Sequence, residues 1–244
     1  MKAVVTAGGR IDGAFARAAG TNVKALAPIG GATMLQRIVE ALRGAGAMRI
    51  AVIGGEEVRA ACGAQVERVV DESPSGAENL LRALRAWPDD GGALLYATSD
   101  LPFVTTEAVR DFADRVTADA LAIALVDFTA FNARFPEAPA AGITLAGERV
   151  INGGLFSIPE GNAQRLAAVA TRLFDARKAP WRMASLVNPL VLIRYFLGTL
   201  SIAHLEKTAQ RVIGVPARAV RNCAPELAFD VDTIAEFEYA RAQR

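Results

Sequence analysis

The chain has 244 residues, 27 Lys+Arg against 26 Asp+Glu, one His and a net charge of +1. That length can bury a sizeable core, and 52% hydrophobic with 22% charged residues excludes a disordered chain, while near-neutrality argues against a nucleic-acid binder. With Cys62, Cys223 and His204 as its only cysteines and histidine, the chain can build neither a disulfide framework nor a Cys/His zinc site; any metal takes oxygen ligands, which suits Mg²⁺ or Mn²⁺.

Lys2–Ala7 reads as a buried strand, and its short apolar stretch leads straight into glycines, unlike a signal peptide. Apolar residues at 34, 35, 38, 39 and 42 predict a helix over Met34–Leu42. Strand Arg49–Gly54, helix Glu56–Cys62, strand Val66–Asp71 and helix Ala77–Trp87 follow. Strand Ala93–Thr98, helix Thr106–Val116 and strand Ala120–Val126 continue the alternation. Such alternation implies right-handed crossovers and a mainly parallel sheet.

Beyond it, Gly142–Leu145 and Arg149–Ile151 are expected to pair around Ala146-Gly147, with Leu155–Ile158 as a separate short strand. Helices are predicted over Gln164–Phe174, Met183–Leu197 and Ser201–Ile213, a strand over Pro216–Arg221 and a closing helix over Thr233–Arg244. We expect one α/β domain over residues 1–244 with a helical insertion at about 160–214. No apolar run approaches the roughly 20 residues of a membrane helix: Met183 to Leu205 is broken by Asn188, Pro189 and Arg194. A soluble, cytoplasmic protein is expected.

Four features carry chemistry. The first strand ends in Ala7-Gly8-Gly9, where glycines at the carboxyl edge of a parallel sheet let backbone N–H groups approach a phosphate. A simple turn is the bland alternative, and neither a Walker loop nor a dinucleotide fingerprint is present. Lys24 is the only lysine between Lys2 and Lys178, a mobile point charge suited to phosphate oxygens. Asp100 follows a buried strand and precedes Leu101-Pro102, so it projects into the crevice where α/β sheets bind ligands. Asp230 and Asp232 are two residues apart and face one side of an extended segment. Like carboxylates that close call for a cation or donors, although Asp232 is also placed to cap the last helix.

Gly8-Gly9, Lys24-Ala25-Leu26 leading into Pro28-Ile29-Gly30-Gly31, Asp100-Leu101-Pro102 and Asp230-Val231-Asp232-Thr233 stand in the order found in MobA-like nucleotidyltransferases. The chain resembles that family from Lys2 to about Arg241. The family includes molybdenum-cofactor guanylyltransferase and is similar to cytidylyltransferases. The resemblance implies a Rossmann-like glycosyltransferase-A-type three-layer sandwich. It also implies transfer of a nucleotidyl group from an NTP to a phosphorylated small-molecule acceptor, with release of pyrophosphate.

On this resemblance Ala7, Gly8 and Gly9 hold the nucleotide, and Lys24 neutralises the triphosphate and the leaving pyrophosphate. Asp100 holds Mg²⁺ with Asp232 and Asp230. Ser75-Gly76-Ala77-Glu78-Asn79 matches the base-reading loop, which makes Gly76 and Asn79 candidates for a guanine or a cytosine. Asn152, Gly153 and Gly154 resemble the acceptor wall, and Arg177 or Lys178 is placed to grip an acceptor phosphate unless it is a solvated helix end. The first loop departs from the pattern: fourteen residues separate Gly9 from Lys24, and either Arg10 or Arg17 can replace the usual loop arginine. A second reading keeps the fold but makes the chain a non-catalytic nucleotide-binding regulatory or partner module. Leu186–Leu200 either floors a pocket for a hydrophobic acceptor or packs on the sheet. His204 is read as structural.

Overall fold

Ala3, Val4 and Val5 are wholly buried, as a strand covered on both faces requires. Their alternation divides the molecule: Ala3 and Val5 join one core cluster and Val4 joins another, because successive side chains point to opposite faces. The computed structural model describes residues 1–87, 91–140, 142–162, 166, 169 and 189–243.

Strand β1 (Lys2–Thr6) pairs in parallel with β4 (Arg49–Gly54) and with β6 (Leu94–Thr98), and β4 pairs in parallel with β5 (Arg68–Asp71). Strand β9 (Glu148–Ile158) lies antiparallel between β6 and β7 (Leu121–Asp127), and β10 (Ala217–Val220) closes that edge parallel to β7. The order is β10-β7-β9-β6-β1-β4-β5, with β8 (Ile143–Leu145) paired to β9. A small antiparallel ribbon, β2 (Pro28–Ile29) with β3 (Ala32–Thr33), stands apart. The sheet is mainly parallel, with helices on both faces.

Helix α1 spans Gly13–Ala19, α2 Met34–Gly44, α3 Glu56–Cys62, α4 Gly76–Leu84, α5 Thr106–Arg115 and α6 Phe128–Arg134. Helix α2 shows why the sequence folds this way. Met34, Leu35, Ile38, Val39 and Leu42 form its buried stripe, and each such side chain contributes about 1.5–3 kcal/mol on leaving water. Thr33 and Gln36 close a capping box at its start, satisfying N–H groups that the first turn leaves free. Thr105 caps α5 by accepting from the Ala108 N–H at 3.1 Å.

Several expectations are corrected. Arg149–Ile151 and Leu155–Ile158 are one strand, because Asn152-Gly153-Gly154 continues the ladder instead of turning out of it. Helices α1 and α6 are short and carry two buried anchors (Phe15 and Ala19) and one (Phe131) respectively, too few to show a period. The β8–β9 turn falls at Ala146-Gly147 as expected, both with positive φ (46° and 89°), which suits the right-handed twist of a two-residue hairpin.

After β9 come α7 (Pro189–Phe196), α8 (Ile202–Ile213) and α9 (Ile234–Ala242). Apart from Leu166 and Val169, the expected helix Gln164–Phe174 lies outside the described residues, as do Arg177 and Lys178. Among the described residues no helix is long and apolar enough to cross a membrane.

Candidate active site

The parallel strands β1, β5 and β6 deliver their carboxyl ends to one edge, and a cavity of about 620 Å³ opens there. Gly8, Gly9 and Arg10 line it from β1, Glu72 and Ser73 from β5, Thr98 to Asp100 from β6, and Gly76 with Asn79 from α4. Ala7 lies beneath, fully buried, with its N–H donating to the Ile53 carbonyl at 2.8 Å. Space is tight at Gly8: a Cβ there would stand 2.3 Å from Glu72 Oε2 and 3.1 Å from Asn79 Nδ2.

The long first loop returns on itself. Arg10 and Val23 form an antiparallel bridge, and the Lys24 N–H donates to the Gly9 carbonyl at 2.9 Å. Helix α1 fills the excursion, so fourteen intervening residues still place Lys24 against Gly9. The same bridge separates the two arginines. Arg10 lines the cavity and is ion-paired to Glu72, whereas Arg17 is exposed on α1.

Asp100 is fixed by its neighbours in sequence. Leu101 and Phe103 are buried in the core, and the Asp100 carbonyl accepts from the Val231 N–H at 3.0 Å. That bond ties the two acidic segments together. Phe229 and Val231 point inward and are buried, while Asp230 and Asp232 are exposed on the opposite side, as the two-residue period requires. Asp232 is not the helix cap. Thr233 takes that place and shares a capping box with Glu236, whose carboxylate also accepts from the Asp232 N–H at 2.7 Å.

Lys24 joins the two segments. Its ammonium donates to Asp100 Oδ2 at 2.6 Å and to Asp232 Oδ1 at 2.5 Å. The Lys24 and Asp100 side chains are only 16% and 14% exposed, against 63% for Asp232, so the inner pair is shielded from water and the outer partner is wet. Burial works against the lysine charge, but the fields and hydrogen bonds of Asp100 and Asp232 outweigh it and hold its pKa above the usual lysine value. Asp230 shows the converse. Although it keeps exposed surface, desolvation by the surrounding protein, then the charges of Asp100 and Asp232, push it up to about 6.

The donor set fits a hard cation in part. Asp100 Oδ1 and Thr98 Oγ1 are buried with no hydrogen-bond partner among the described residues, and a buried oxygen left unpaired is costly. Yet no group of three or more His, Cys, Asp or Glu side chains among the described residues is arranged to hold a metal. A cation here needs oxygens from a ligand to complete its shell.

Asn79 holds the loop after β5: its Oδ1 accepts from the Ser73 N–H at 2.6 Å and its Nδ2 donates to the Ser73 carbonyl at 2.9 Å. Gly153 and Gly154 serve close packing within β9. A Cβ on Gly153 would stand 2.8 Å from the Leu227 carbonyl oxygen, and one on Gly154 2.3 Å from Thr98 Oγ1. Asn152 is exposed and borders an apolar cavity on the neighbouring part of the sheet. His204 closes a capping box with Ser201 at the start of α8, the structural role expected of it. The sequence reading overlooked Glu72, although it follows a parallel strand just as Asp100 does. It also overlooked Tyr96, whose hydroxyl pairs with Thr6 Oγ1 at 2.8 Å on the cavity floor.

Residues 3–228 match the MobA-like NTP transferase domain. The chain belongs to this family. Its fold is that of solved nucleotidyltransferases. A structure described as a hypothetical transferase from Thermus thermophilus is similar at 33% identity and a TM-score of 0.84, covering 96% of this chain and 98% of that one. A CMP:2-keto-3-deoxy-manno-octonic acid synthetase complexed with CTP shares 16% identity and a TM-score of 0.59, over 100% and 98% of the two chains. A Mycobacterium tuberculosis H37Rv protein in complex with manganese shares 20% identity and a TM-score of 0.56, over the same shares. At those lower identities the likeness is one of fold. No curated protein matches the sequence.

Proposed function

We propose that this protein transfers a nucleoside monophosphate from an NTP to a phosphorylated small-molecule acceptor, releasing pyrophosphate, with Mg²⁺ or Mn²⁺. The observation that carries the reading is the Lys24 ammonium held between Asp100 and Asp232 beside Gly8-Gly9 at the carboxyl edge of the sheet. The CTP bound to the synthetase neighbour supports a nucleotide in this cavity, and the manganese complex supports a divalent cation.

In this reading the backbone of Gly8 and Gly9 faces the phosphates and Arg10 borders them. Asn79 and Gly76 shape the wall at the base. An oxygen of the acceptor phosphate forms a new bond to the α-phosphorus, the bond from that phosphorus to the bridging oxygen breaks, and pyrophosphate leaves. The attacking phosphate is already ionised at pH 7, so no side chain removes a proton. Such a reaction rests on positioning and charge neutralisation. Lys24 moves from its carboxylate partners toward the triphosphate and stabilises the charge that gathers on the leaving group. Asp100 and Asp232 would hold the cation, which when bound neutralises the α-phosphate and polarises it.

Asp100→Ala abolishes exchange of labelled pyrophosphate into NTP, measured with the nucleotidylated acceptor present because transfer is direct, while the melting temperature and circular dichroism remain those of a folded protein. Unchanged exchange in that variant would sink the proposal.

A further inference from the structure

The polar cavity does not end at the sheet edge. Leu80, Tyr96 and Thr98 line it and also line a second cavity of about 350 Å³. Leu121 and Phe156 line that one and a third of about 290 Å³. The three adjoin in turn across the face of β6, β9 and β7, polar at one end and apolar beyond. An apolar cavity of about 150 Å³ is enough for benzene, so both apolar spaces exceed a solvent-sized gap.

Leu166 and Val169 also border the second cavity. Among the described residues, two separate clusters cover this face of the sheet. One gathers under α4, with Leu84, Leu94 and Ile158; the other lies near α7 and α8, with Leu125, Val150 and Ile202. Tyr96, Leu121, Ile123 and Phe156 lie between them, only partly buried. Helix α8 forms the opposite wall: Ile202, Leu205 and Ala209 border the far cavity and Ile213 the near one, a spacing that keeps them on one helix face. Asn152, Glu206 and Arg218 also border the far cavity, the Glu206 carboxylate accepting from the Ala219 N–H at 2.8 Å. At the junction between polar and apolar space stands the buried, unpaired Thr98 hydroxyl. Beyond the far end, where Val191 packs beside Val150 and Leu145, α7 and the turn after it leave Phe196 and Leu197 83% and 70% exposed.

We infer that the acceptor is an amphiphile whose phosphate lies beside Asp100 and Lys24 and whose alkyl or isoprenoid chain runs along this groove. The inference rests on the nucleotidyl-transfer reading above and adds the class of acceptor. Of the stretch Leu186–Leu200, read either as the floor of an acceptor pocket or as packing on the sheet, residues 186–188 lie outside the described residues and none of the described ones lines the groove; Val191 and Leu200 are buried in the adjoining cluster.

The test is a calorimetric titration of n-alkyl monophosphates, from butyl to dodecyl and kept below their micelle concentrations, into the full chain with Mg²⁺. Stabilisation by NTPs is measured in parallel. Affinity is expected to rise roughly fourfold for each added methylene that enters the groove. Ile213→Trp, which fills the near cavity, should flatten the series from its start. Ala209→Trp, which fills only the far one, should flatten it at longer chains. Both variants should keep the stabilisation by NTP. An affinity that is constant from butyl to dodecyl phosphate, with NTP stabilisation intact, overturns the amphiphilic acceptor and leaves nucleotidyl transfer standing. A chain-length series unchanged in both variants overturns it as well. Absence of NTP stabilisation in the wild type overturns the reading beneath it.

Discussion

Lys24 occupies the space between two carboxylates at the cavity. A lysine can do this and still serve a substrate because its ammonium is a compact charge on a flexible stem. It partners Asp100 and Asp232, and its stem gives the reach to turn toward phosphate oxygens in the proposed reaction. Lys24→Met removes both services. The part-buried Asp100 is left without its cation, which should cost about 1–3 kcal/mol of stability, partly recovered on adding Mg²⁺. Exchange activity should fall by about 10²–10³, as for loss of one preorganised charge donor. Thermal melts with and without Mg²⁺, alongside exchange rates, check both; wild-type turnover in this variant contradicts the role. Sequence alone pointed to Lys24 by its isolation and to Asp100 by its place after a buried strand. The contact between them joins residues 76 apart, and no local pattern encodes it.

Among the elements, α9 has a second task besides packing Phe237 and Ala240 into the core. Its capping box extends one residue back, since Glu236 accepts from the N–H groups of both Asp232 and Thr233. The helix start therefore orients a site carboxylate. Glu236→Ala should lower stability by about 1 kcal/mol, the usual worth of a cap. As a positioning change it should also raise the Mg²⁺ concentration needed for half-maximal exchange, with a smaller effect on the rate at saturating metal. An unchanged metal requirement would confine Glu236 to capping. The Asp-x-Asp-Thr spacing was legible in the sequence, and so were helix α2 and strands β1, β4 and β6, whose apolar periods are long or whose burial is complete. Helix α1 was not, because seven residues with two buried anchors carry too little period to stand out. The unbroken β9 was hidden by its glycines, which signal a turn in sequence yet here admit Leu227 and Thr98 to close contact.

Across the molecule, the parallel half of the sheet gathers Gly8, Gly9, Lys24 and the aspartates at one edge. The antiparallel half offers the apolar groove. A ligand that binds only the folded form raises its stability by mass action, about 2.7 kcal/mol at a hundredfold excess over Kd. One NTP should therefore raise the melting temperature in the presence of Mg²⁺ more than in its absence, and more than the other three NTPs do. A panel of ATP, GTP, CTP and UTP that leaves the melting temperature unmoved with Mg²⁺ contradicts the nucleotide reading.

The amino-acid sequence by itself determined the alternation of strands and helices, the family, and the residue types at the carboxyl edge of the sheet. Those follow from local periodicity, from turn chemistry and from an ordered set of short motifs. Which arginine reaches the cavity, which residue caps the last helix, and that Lys24 bridges Asp100 and Asp232 were decided by the folded chain. So was the path of the apolar groove. Each depends on segments far apart in sequence meeting through a return of the chain or a shared sheet face, and contacts of that range leave no period to read.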